Sequence, residues 1–181
     1  ANNGGACALP ASTLASFTLA GLTNPLAGSY PAAGFAVATN RDNTAAVVAS
    51  AITITSGVGG VTFTGAPLTA TSASSWTVGF TAGPSGALAA AGTISVTFHP
   101  SFTVASPTVT VGAGFSSCSA TGAAVGSVVT VTLANNGGTC ALLANAVASL
   151  TITGVTNPAA ATYTAASFTV ATSAESSASG A

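Results

Sequence analysis

His99, Asp42 and Glu175 are the side chains of this 181-residue sequence that could serve general acid or base chemistry, and the sequence holds one His and two acids in all. A Ser–His–Asp relay would require Asp42 to reach His99, and no nucleophile-turn motif accompanies them. A two-carboxylate glycosidase would rest on Asp42 and Glu175. Those two acids occupy equivalent places in a repeated sequence, described below, which already explains their presence. Gly57-Val58-Gly59-Gly60 is glycine-rich but precedes neither a helix nor a lysine, so it is no phosphate loop. Cys7, Cys118 and Cys140 with one His offer neither ligand spacing nor supporting partners for a metal. The residues therefore predict no enzyme, no cofactor, no catalytic residue and no metal site. His99, followed by Pro100, is expected to be a turn residue or a packed ring. Trp76, Tyr30, Tyr163 and the phenylalanines are expected in a core rather than on a sugar-stacking face.

The elements that would hold these residues read as strands. Alternation of apolar with small or polar residues marks residues 14–22 (LASFTLAGL), 34–39 (GFAVAT), 76–81 (WTVGFT), 92–99 (GTISVTFH), 107–111 (PTVTV), 126–133 (GSVVTVTL), 148–154 (ASLTITG) and 167–172 (SFTVAT). AITIT at 51–55 and VTFT at 61–64, joined across Gly57 to Gly60, predict a hairpin. Residues 87–91 (ALAAA) allow at most one helical turn. The expected class is all-β, an antiparallel sandwich.

Residues 1–39 return as residues 134–172 at a constant offset of about 133, with roughly three positions in five identical, so the chain carries an internal duplication. Asn2-Asn3-Gly4-Gly5 matches Asn135-Asn136-Gly137-Gly138, Asn24-Pro25 matches Asn157-Pro158, Tyr30 matches Tyr163, and Asp42 falls opposite Glu175. Arg41-Asp42 reads as a solvated loop charge, with a contact between subunits as the alternative. The sequence is expected to divide into residues 1–73, a partial repeat plus hairpin completed by a neighbour or forming a small β domain, and residues 74–181, a complete sandwich. Ala1 begins inside the repeat pattern, which suggests a processed or excerpted chain.

Inside the complete unit, Cys118 and Cys140 are expected to form a disulfide, worth about 3 kcal/mol in chain entropy. Cys7 matches Cys140 but lacks a counterpart of Cys118; it is either a buried free thiol or reaches another chain.

Only 2% of the residues are charged, there is no lysine, and the net charge is −1. Nucleic-acid binding and a polybasic membrane patch are excluded, because both need a Lys/Arg surface. No apolar run is long enough for a spanning helix. Disorder is a poor account of a chain so rich in β-branched residues. A nearly uncharged surface lacks the usual protection against association. It is expected to be covered by partner subunits, by O-linked glycans, or by both; no Asn-x-Ser/Thr sequon is present.

The run WTVGFT, then ALAAAGTISVTF, then TNP and SFTVAT, resembles the immunoglobulin-like repeats of large secreted surface and filament proteins. The likeness covers residues 74–173, with its second half repeated at 1–44; His99 departs from it, since an apolar residue is usual there. The resemblance implies an Ig-like sandwich, an extracellular location, and a structural or adhesive role without catalytic residues. The expectation is a subunit that polymerises with itself, head to tail, by β-strand complementation into a filament, appendage or surface layer. The alternatives are a secreted adhesive, carbohydrate-binding or ice-binding module, or a piece of a longer tandem-repeat surface protein.

Overall fold

The computed structural model describes residues 9–10, 12–22, 28–54 and 57–181. Cys7, the Asn2 to Gly5 turn and the Asn24-Pro25 turn lie outside the described residues. Among the described residues the chain is almost all strand, with two short 3-10 turns, Ala32–Gly34 and Ala165–Ser167. The strands are β1 (Gly28–Tyr30), β2 (Ala36–Val37), β3 (Ala46–Val47), β4 (Ile52–Ile54), β5 (Gly59–Ala66), β6 (Ala73–Thr81), β7 (Leu88–Ala89), β8 (Thr93–Thr97) and β9 (Thr103–Val104). They continue with β10 (Val109–Val111), β11 (Phe115–Ser116), β12 (Cys118–Val125), β13 (Val128–Asn135), β14 (Ala141–Leu142), β15 (Val147–Thr156), β16 (Thr169–Thr172) and β17 (Ser179–Gly180).

Two five-stranded antiparallel sheets carry the structure. One runs β10-β15-β6-β5 with β9 also on β15; the other runs β12-β13-β8-β16-β17. A small sheet, β11-β14-β7, lies beside them in the order. Alternation explains the pairing of faces: Trp76, Val78 and Phe80 on β6 are buried, as are Leu150 and Ile152 on β15, while the threonines between them are not. Ile94 and Val96 on β8, Val129, Val131 and Leu133 on β13, and Val170 on β16 supply the facing layer. All belong to one core. Ring contacts cross it, Phe63 to Phe98 at 5.5 Å and Trp76 to Phe98 at 5.8 Å. The aromatic residues Trp76, Phe80, Phe98, Phe102 and Phe168 are therefore core residues.

Three local expectations are corrected. The 51–55/61–64 hairpin does not form: β4 pairs with β1, and β5 pairs with β6 from Gly59 to Ala66. Pairing with β6 buries Val61 and sets Phe63 against Phe98 and Phe168, which a short contact with β4 would not provide. This ladder crosses the expected division between 73 and 74. Residues 87–91 make strand β7 rather than a helical turn, because Leu88 is buried and pairs opposite Leu142. Residues 14–22 carry a strand pattern yet form no strand. A ladder needs partner backbones, and none lies alongside them among the described residues.

Candidate functional site

The site is the seat of the last segment, residues 164–181, and its sequence echo at residues 31–48. A 3-10 turn opens the segment: Ser167 N–H donates to Thr164 O at 3.0 Å and Phe168 N–H to Ala165 O at 2.9 Å. Then β16 joins β8, with Val170 opposite Val96 and Thr172 opposite Ile94. A tight turn follows. Thr172 N–H donates to Glu175 O at 2.9 Å, and Glu175 N–H donates to Thr172 Oγ1 at 3.0 Å. The chain closes on β17, Thr169 opposite Gly180 and Val170 opposite Ser179, with Ala181 N–H on Phe168 O at 3.0 Å.

Four side chains of this segment point inward and are buried: Phe168, Val170, Thr172 and Glu175. Glu175 is 1% exposed, and Gly83 N–H donates to its Oε2 at 2.8 Å. Its carboxylate lies on the turn from Gly83 to Gly86, which closes with Gly86 N–H on Gly83 O at 3.0 Å. A Cβ at Gly83 would run into Oε1 of Glu175, and one at Gly86 into Oε2. Both positions therefore need glycine so that the carboxylate can approach the backbone. The buried acid is a latch between the last segment and the Gly-Pro-Ser-Gly turn, a role that nothing in the sequence marks beyond the match of Glu175 to Asp42.

Residues 31–48 reproduce the local geometry at the same offset. Gly34 N–H donates to Pro31 O at 2.9 Å and Phe35 N–H to Ala32 O at 3.0 Å. β2 and β3 pair with Ala36 opposite Val47 and Val37 opposite Ala46, the counterparts of 169–180 and 170–179. Thr39 N–H donates to Asp42 O at 2.8 Å, Asp42 N–H to Thr39 Oγ1 at 2.9 Å, and Val48 N–H to Phe35 O at 3.1 Å. The four inward positions are Phe35, Val37, Thr39 and Asp42, three of them identical to the later copy and the fourth still an acid.

What differs is the cover. Val37 is 55% exposed where Val170 is 0%, and Asp42 and Arg41 are exposed. A shallow apolar concavity lined by Phe35, Val37, Val47 and Val48 remains open. Upstream the contrast repeats: Phe17, Leu19 and Leu22 are 68%, 66% and 75% exposed, whereas their counterparts Leu150, Ile152 and Val155 are 0%. In the later copy β6 and β10 flank that strand, and β8 flanks β16.

The other candidate residues fall elsewhere. Cys118 and Cys140 form a disulfide, S–S 2.02 Å, and both are buried. The His99 ring lies 4.8 Å from that of Tyr163, tilted by 58°, and its Nδ1 accepts Ser101 N–H at 3.1 Å. Among the described residues no group of three or more His, Cys, Asp or Glu could hold a metal. A groove of about 430 Å³ opens over Phe63, Trp76, Phe102, Tyr163 and Phe168. Its polar residues are engaged within the chain: Tyr163 Oη donates to Ala159 O at 2.6 Å, and Asn157 Nδ2 donates to Pro67 O and Thr69 O. Asn157 Oδ1 also accepts Ser74 Oγ–H at 2.8 Å and Trp76 Nε1–H at 3.3 Å. Asn157, marked in the sequence only as the counterpart of Asn24, ties β6, the β5–β6 connection and the end of β15 together. Tyr30 is half-buried on β1.

No helix among the described residues is long and apolar enough to cross a membrane. No family model, no curated protein and no solved structure matches the chain.

Proposed function

We propose that the chain is a structural component of an extracellular filament, appendage or surface layer, built of Ig-like sandwich units that complete one another by strand addition. The observation that carries this reading is the bare inward face of the early copy, Phe17, Leu19 and Leu22 exposed where Leu150, Ile152 and Val155 are fully buried. Covering each such side chain is worth about 1.5–3 kcal/mol, so the face is a strong driving force for association. Different patches of one chain meet in such a contact, so it propagates head to tail rather than closing on itself. The disulfide suits an oxidising compartment. The near absence of charge removes repulsion between subunits, and O-linked glycans on the Ser/Thr-rich surface are a compatible second cover.

A tandem array within one long polypeptide is a second form of the same reading. Recurrence of the same turns and strand register at one offset favours it, since each unit would then be an evolutionary copy of the next. The reading is tested by deleting residues 1–48 and imaging the product. The expected result is a folded particle that no longer assembles; unchanged filaments or sheets from the truncated chain would overturn it.

A further inference from the structure

We infer that the bare face of residues 14–22 and 31–48 is a docking surface for a second copy of residues 57–133, recognised through an acid-on-glycine latch at Asp42. This rests on the reading above and names the partner and the contacts. The later copy supplies the template. There, residues of the same types at the same offset sit against elements between Val58 and Leu133: β6, β9 and β10 pair with β15, β8 pairs with β16, and the Gly83 to Gly86 turn receives the carboxylate.

The side chains that read that surface are retained in the early copy, while their neighbours change. Phe168, Val170, Thr172 and Glu175 become Phe35, Val37, Thr39 and Asp42; exposed Ser173 and Ala174 become Asn40 and Arg41. Backbone geometry of the turn is already set, because the Thr39–Asp42 turn makes two of the three hydrogen bonds of the Thr172–Glu175 turn. Docking therefore orders little new backbone in residues 31–48, while residues 14–22 must become strand as their counterparts in β15 are. In the contact Ala38 lies opposite Ser95, as Ala171 does within the chain, and Asp42 accepts the amide of the partner's glycine turn. An unrelated partner would have no reason to match a carboxylate to a glycine turn at this register.

Cys7 gives the inference a chemical readout. It matches Cys140, whose disulfide partner Cys118 lies in the proposed occupant. A chain with a copy of residues 57–133 fused ahead of Ala1 recreates the junction between Leu133 and Ala134. In that fusion the added Cys118 is expected to pair with Cys7, leaving no titratable thiol, and amides 14–22 and 35–39 are expected to gain hydrogen-exchange protection. Val37→Asp in the fusion should restore exchange there and leave the original Cys118–Cys140 half untouched. If Cys7 still titrates and the face still exchanges freely while that half keeps its disulfide, the inference is wrong.

Should the fusion not fold, the same register is tested in full-length chains on a Cys7→Ser background, as a mixture of Ala38→Cys and Ser95→Cys variants. An intact resident segment competes at an effective concentration on the order of millimolar, so cross-linking is measured at comparable protein concentration. A disulfide between residues 38 and 95 of different chains supports the inference, and its absence overturns it. Loss of assembly on deleting residues 1–48 without these contacts would leave the proposed function standing and remove only this partner.

Discussion

Glu175 holds the last segment only because Gly83 and Gly86 leave room for its carboxylate. Glu175→Ala is expected to cost about 2–3 kcal/mol, since the half-buried Gly83 amide loses its acceptor and a void opens beside it. Glu175→Gln keeps an oxygen for the Gly83 amide and should lose less. Urea unfolding of the two variants checks the order, and equal losses would show that shape rather than the hydrogen bond matters. Asn157 is the second residue of this kind. Its side chain bonds Ser74, Trp76, Pro67 and Thr69, so Asn157→Ala should destabilise by about 2–4 kcal/mol, with several buried groups losing partners together. A red shift of the Trp76 fluorescence is the measurement, and unchanged emission would contradict the role. Neither residue was legible as a hub, because an acid after a strand and an Asn-Pro pair also describe ordinary loops. The cysteine pair was legible, since two cysteines in one expected unit left few alternatives.

Strands with a large alternating side chain were readable from the sequence. Residues 76–81, 128–133 and 148–154 lie in β6, β13 and β15, because Trp, Phe, Leu and Val on one face leave a period of two that nothing else mimics. β12 was missed. Its sequence, CSATGAAV, has small residues on both faces, and its place is set by pairing with β13 from Cys118 to Val125 rather than by propensity. Residues 14–22 fail in the opposite way: alternation specifies which side faces inward but not whether a partner strand is there. The disulfide anchors the start of β12 to the residue before β14. Replacing Cys118 and Cys140 by alanine should lower stability by about 3 kcal/mol, read as a shift in the urea midpoint relative to the oxidised chain. A shift near zero would mean that β12 is held by its ladder alone.

At the scale of the molecule, residues 57–181 draw their core from both large sheets, whereas Phe17, Leu19, Leu22 and Val37 keep apolar side chains at counterpart positions with no covering strand among the described residues. Substituting Phe17, Leu19 and Leu22 together by serine should therefore leave the unfolding midpoint of residues 57–181 within about 0.5 kcal/mol of the parent, as for exposed positions. The same triple variant should abolish assembly, seen by light scattering. A variant that assembles normally would place the association surface elsewhere.

If another unit covers residues 14–22 and 31–48 in the native material, hydrogen exchange on intact assemblies, read peptide by peptide, will detect it. Amides of residues 14–22 and 35–39 are expected to become as protected as those of their counterparts in β15 and β16. Free exchange across residues 14–22 and 31–48 in material that is otherwise fully assembled would contradict this cover.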